Sequence, residues 1–94
     1  MQSVMMSELG SYTGVVMFGA SWCMPCRFAK PKVEQLSDSS KVPVVYFDID
    51  DGQDYARSLG IQSVPTFIRY QNGNPTGTRL IGASEDGLRV LFGV

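Results

Sequence analysis

Residues 15 to 18 read Val-Val-Met-Phe, with no polar residue among them. Successive side chains of a strand point to opposite faces of a sheet, so a half-buried strand alternates apolar and polar residues. A strand that does not alternate has to be covered on both faces. Residues 14 to 20 are therefore expected to form an inner strand with helices above and below it. That restricts the chain to a layered α/β architecture.

The run leads into Ser21-Trp22-Cys23-Met24-Pro25-Cys26-Arg27, which holds the only two cysteines. A C-x-x-C that follows a strand and opens a helix reads as a thiol–disulfide site. The thiolate is the attacking species, and a helix N-terminus favours it through unpaired N–H groups and a partial positive charge. Cys23 is expected at that end. Pro25 suits the first turn, where its missing N–H costs no helical bond. Cys26 shares a helix face with Ala29, Val33 and Leu36, so it is expected to turn inward and Cys23 outward. On this reading Cys23 attacks and Cys26 resolves the mixed disulfide. A purely structural staple fits less well, since so short a loop restrains the unfolded chain by only about 2 kcal/mol. Two cysteines and no histidine do not complete a four-ligand zinc site in one chain, and no metal is expected.

The remaining pattern supplies the rest of a small mixed sheet. Met5, Leu9 and Tyr12 stand at helical spacing, predicting a short helix within residues 3 to 12 whose methionines touch the core. The helix after the cysteines is expected over 23–37, with Arg27, Lys30 and Lys32 on its outer side. Residues 42 to 49 form the next strand, Pro43 being tolerated only at its start or on an edge. Strand, helix and strand at this spacing make a parallel crossover. Asp48, Asp50 and Asp51 lie where that strand ends, and helix capping explains them better than a metal site. A short helix is expected over 53–59 and a strand over 66–70. Asn72-Gly73 signals a hairpin, with Pro75 and Gly77 lengthening its turn and residues 78 to 81 returning. Ser84 is the predicted cap of a last helix whose core face is Leu88, Leu91 and Phe92.

With 94 residues the chain is expected to be one domain, residues 1–94. A net charge of −1 leaves no basic footprint for nucleic acid or anionic lipid. No apolar run approaches membrane-spanning length. Residues 1 to 8 have neither a basic n-region nor a long apolar h-region, so no signal peptide is expected. A cytoplasmic, reducing location follows, where a C-x-x-C pair is more often catalytic than structural.

Trp22-Cys23-x-Pro25-Cys26 after an apolar strand resembles the thioredoxin family, whose usual form has Gly at the position of Met24. Pro31 resembles the family's helix-kinking proline, Val64-Pro65-Thr66 its cis-proline loop, and Gly82 its groove-lining glycine. The resemblance covers roughly residues 12 to 92. It implies a thioredoxin fold in which strands 42–49 and 14–20 are parallel and 66–70 lies antiparallel beside 14–20. About a dozen residues precede the first clear strand, so a four-stranded sheet without the family's outer N-terminal strand is expected.

The resemblance also implies a protein disulfide reductase that docks substrates on Trp22, Met24, Pro25, Val64, Pro65, Gly82 and Ala83. It implies no bound cofactor beyond the Cys23–Cys26 disulfide, a thioredoxin reductase-like recycling enzyme, and a monomer. Two other readings compete. One is a glutaredoxin-like, glutathione-coupled enzyme, loosely supported by Ser63-Val64-Pro65 and residues 82 to 86. The other is a binding subunit of a larger enzyme, docking through Met24. In one respect the chain departs from the family, which commonly buries an Asp six residues before the first cysteine and pairs it with a Lys. Met17 and Tyr46 stand at those positions.

Overall fold

The computed structural model describes residues 1–94. Five strands form one mixed sheet: β1 (Gln2–Ser3), β2 (Gly14–Gly19), β3 (Val44–Asp48), β4 (Thr66–Gln71) and β5 (Asn74–Ile81). Their spatial order is β1-β3-β2-β4-β5. β3 runs parallel to β2 and to β1, while β4 runs antiparallel to β2 and to β5. Three helices complete the chain: α1 (Met24–Ser40), α2 (Gln53–Ser58) and α3 (Glu85–Phe92).

β2 is buried along its whole length, and its two faces feed two separate cores. Val15 and Met17 join Cys26, Val33, Leu88 and Phe92 beneath α1 and α3. Val16 and Phe18 join Leu9, Phe47, Ile68 and Tyr70 on the other side, closed over by Tyr55, Leu59 and Ile61. On that side the rings of Phe18 and Phe47 lie 5.5 Å apart and the Tyr55 and Tyr70 hydroxyls share a 2.6 Å hydrogen bond. The uninterrupted apolar run thus serves two layers at once.

α1 buries Cys26, Ala29, Val33 and Leu36, the face that the helical spacing predicts. It runs beyond residue 37 to Ser40 and stops at Lys41, whose φ of 64° is left-handed and whose N–H bonds to Ser37 O at 2.9 Å. Ser84 caps α3, its hydroxyl accepting from the Gly87 N–H at 3.2 Å, and Leu88, Leu91 and Phe92 are buried as expected.

The outer N-terminal strand is present, so the sheet has five strands where four were expected. Gln2 and Ser3 pair with Val45 and Tyr46, and the Val4 N–H continues the ladder to Tyr46 O at 2.9 Å. The helix expected within residues 3 to 12 shrinks to a single 3-10 turn at Met6–Leu9. Val4 and Leu9 supply its buried contacts, whereas Met5 and Met6 are exposed. Val4 still follows the strand through its N–H bond to Tyr46 O, and the turn begins only at Met6.

The hairpin is also tighter than expected. Asn72 (φ 52°) and Gly73 (φ 83°) form the whole two-residue loop, both left-handed as such a turn requires. Pro75 and Gly77 therefore belong to β5, not to the turn. Pro75 pairs with Tyr70 next to an irregularity between Ile68 and Tyr70, and a proline is tolerated there because β5 is an edge strand.

Candidate active site

Two cysteines mark the point where β2 hands over to α1. After β2 the chain turns at Ala20, whose carbonyl accepts the Cys23 N–H at 3.1 Å. Cys23 is the N-cap of α1, with extended backbone (φ −89°, ψ 106°), and its sulfur accepts the Cys26 N–H at 3.2 Å. Pro25 sits in the first helical turn. Cys23 and Cys26 are joined as a disulfide, with their Cα atoms 5.3 Å apart.

The contrast in exposure between the two cysteines is smaller than the helix spacing predicts. Cys26 is 0% exposed and Cys23 only 4%, so Cys23 does not stand out into solvent. The cause is the loop before β4, whose Val64 carbonyl oxygen lies 3.8 Å from the Cys23 sulfur. The exposed apolar surface belongs to the neighbours, with Trp22 at 65% and Met24 at 53%.

The loop residues Val64 and Pro65 and the segment Gly82–Ala83, expected from the sequence to dock substrate, lie next to one another here. The Val64–Pro65 peptide bond is cis. Pro65 is buried, and its carbonyl accepts the Gly82 N–H at 2.9 Å. That bond holds the half-buried Gly82 and Ala83 beside the proline, with Gly82 at φ 84°. The Thr66 hydroxyl, donating to Ser63 O at 2.8 Å, fixes the start of the loop.

One residue, Asp50, has a part here that the sequence did not reveal. The Trp22 indole N–H donates to the Asp50 carboxylate at 3.0 Å. The Asp48 carboxylate in turn accepts the Asp50 N–H at 2.9 Å, capping the turn at Ile49–Asp51. Capping was the expected use of these acids, but the tether to Trp22 was not expected. Trp22 and Asp50 lie 28 positions apart, and no local pattern announces such a pair.

The layer under the disulfide is apolar. Met17 is fully buried in the same cluster as Cys26 and pairs across the sheet with Tyr46 and Phe67. No Asp, Glu, Lys or Arg is buried in the protein, so no buried carboxylate lies near Cys26. Tyr46 lies flat under Lys30, whose Nζ is 4.0 Å from the ring centroid. A side chain at Gly19 would run into this tyrosine, since a Cβ there would sit 2.5 Å from its hydroxyl. Burial, helped by the negative charge of Asp48, raises the Tyr46 phenol above its ordinary value. Lys30 and Lys32 are half-buried and partnered, the second by Glu85 at 2.9 Å, while Arg27 faces solvent.

Comparison with known proteins agrees with this arrangement. The thioredoxin family model matches residues 5–91. A thioredoxin of Aspergillus fumigatus, Asp f 28, is 39% identical over 71 residues, which is 74% of this chain and 66% of that protein. The thioredoxin of Rattus norvegicus is 36% identical over 88 residues, 93% of this chain and 83% of that protein. Among solved structures, Plasmodium falciparum thioredoxin superposes with a TM-score of 0.85 at 31% identity, covering 98% of this chain and 95% of that one.

Proposed function

Because the chain belongs to the thioredoxin family, we propose that it is a protein disulfide reductase, a thiol–disulfide oxidoreductase working through Cys23 and Cys26. The observation that carries this reading is the Cys26 N–H aimed at the Cys23 sulfur, at the end of a 17-residue helix. Such a donor stabilises a thiolate at Cys23 in the reduced protein.

In the reaction, the Cys23 thiolate attacks one sulfur of a substrate disulfide. The substrate S–S bond breaks, a Cys23–substrate disulfide forms, and the departing thiolate takes a proton from water. Cys26 then loses its proton and attacks the Cys23 sulfur. This closes the Cys23–Cys26 bond and releases the second substrate thiol. Two electrons pass from the dithiol to the substrate. A separate reductase of the thioredoxin reductase class returns them, so the protein needs no cofactor of its own.

Substrate docks on Trp22, Met24, Pro25, Val64, Pro65, Gly82 and Ala83. The Val64 backbone, beside the sulfur, takes the substrate chain as an added strand. The protein acts as a single-domain monomer in the cytoplasm, where thiols are kept reduced. No helix is long and apolar enough to cross a membrane.

The reading is tested by trapping. A Cys26→Ser variant is expected to accumulate mixed disulfides with protein substrates on Cys23, and the unsubstituted protein with a dithiol is expected to reduce a protein disulfide. A Cys23→Ser variant that retained this activity would sink the proposal.

A further inference from the structure

Beside the disulfide, α1 and α3 are separated by a groove of about 530 Å³. Its first wall is the α1 stripe Pro25, Phe28, Ala29 and Lys32, at i, i+3, i+4 and i+7. Ala83, Glu85 and Leu88 form the other. The groove begins inside the C-x-x-C, at Pro25, and reaches Ala83 across from it, so it adjoins the surface on which the disulfide lies. Phe28 stands on its rim 74% exposed, with no role in either core.

The charge of the groove limits what can fill it. Lys32 is held by Glu85 at 2.9 Å, and Arg89 reaches the same carboxylate at 3.8 Å. The charges on the rim are thus already paired with one another, and a charged occupant would gain little there while losing its own water. What remains on offer is the apolar surface of Pro25, Phe28, Ala29, Ala83 and Leu88. The reach is set by helix geometry. Phe28 is about 7.5 Å along the axis from Cys23 at about 1.5 Å per residue. An extended chain covers that in about two to three residues.

We propose that this groove is a specificity subsite of the reductase. It takes one bulky apolar side chain of the substrate, about two to three residues from the reacting cysteine. This rests on the reductase reading and narrows it. The protein reduces most readily those disulfides whose cysteines have a large apolar neighbour, as in chains whose core is partly exposed.

The test uses short peptides with one cysteine, each prepared as a mixed disulfide with thionitrobenzoate. Members of a pair differ only in carrying Phe or Asn about three residues from that cysteine, in either direction. The reduced protein is expected to release thionitrobenzoate from the Phe peptide about tenfold faster than from the Asn peptide. In Phe28→Ser, where an exposed side chain is changed without disturbing the core, the ratio is expected to drop to about two or less.

Equal rates for the two peptides in the unsubstituted protein would overturn the subsite, as would a ratio that survives Phe28→Ser. A concentration-dependent mass in sedimentation, abolished by Phe28→Ser, would give the groove to a second copy of the chain and overturn it too. Failure of the unsubstituted protein to reduce the symmetrical thionitrobenzoate disulfide is a separate result. It would overturn the reductase reading itself, and the subsite with it.

Discussion

The backbone N–H of Cys26 points at the sulfur of Cys23, 3.2 Å away. In the reduced protein the same donor favours a thiolate on Cys23, while Cys26, fully buried among apolar side chains, is held as a thiol by desolvation. Brief treatment with iodoacetamide is expected to alkylate Cys23 at least about tenfold faster than Cys26. Peptide mass spectrometry reads the ratio, and equal labelling would sink the assignment of attacking and resolving cysteines.

Met17 and the apolar layer around it leave Cys26 without a carboxylate to accept its proton. Resolution of a preformed mixed disulfide is therefore expected to speed up with rising pH as Cys26 ionises, with no step in the range where carboxylates titrate. A step that disappears in Asp48→Asn would show that Asp48 has taken the role. Met17→Asp is expected to destabilise the fold by about 3–5 kcal/mol at neutral pH, the cost of an unpaired buried charge. Burial raises that Asp's folded-state pKa, so the penalty is complete above the raised value. It fades as pH falls from there toward about 4, the unfolded-state value, and is gone below it, where both states are protonated. Urea denaturation of both proteins at neutral and acid pH would show whether the gap narrows.

Asp50 holds the indole of Trp22, the only tryptophan in the chain. Asp50→Ala is expected to free the ring, lowering its fluorescence anisotropy and raising KM for a protein disulfide by about two- to fivefold, since one hydrogen bond to a charged group is at stake. Unchanged anisotropy would mean that the ring is held by something other than this carboxylate.

Alkaline pH is expected to weaken the fold through its tyrosines. Burial pushes the Tyr12 phenol up to about 12, and its hydroxyl donates to Val15 O at 2.9 Å. Burial and the bond to Tyr55 raise Tyr70 further still. Above about pH 10 the unfolded chain gives up phenolic protons that the folded chain keeps. The stabilisation present below that pH is therefore lost as pH rises toward the folded-state values. Tyr12→Phe should begin about 1 kcal/mol less stable and lose less on going up through that range. Two parallel stability–pH curves would count against Tyr12 as a contributor.

How far the sequence could be read depended on how local each cause was. The double-sided burial of β2 and the inward face of α1 rest on periodicity within a few residues, and both were legible. Gln2 and Ser3 were not, because two polar residues carry no apolar signal. They are extended because the open edge of β3 gives their backbone a partner. Lys41 ends α1 in a left-handed conformation, a place where glycine would have given notice. At the site, the Cys23–Cys26 geometry could be read from the motif. The shielding of Cys23 could not, because it comes from Val64, which the chain brings back 41 positions later. The groove beside α3 needs two helices to be placed before it exists at all.

The borders of the sheet have a consequence if partly unfolded chains are the substrates, as proposed above. β1 offers two residues to an incoming strand, too few to template a stable pairing. β5 carries Pro75, which has no N–H to give, beside a break in its own register. The first edge and the start of the second are thus poor templates for another strand, although Trp22, Met24 and Phe28 lie in the open. Those side chains flank the disulfide and lie apart from β1, so a substrate held on them is held beside the sulfurs. On the proposed reductase reading, such an encounter ends in exchangeable covalent chemistry and release and not in strand addition at the short β1 edge.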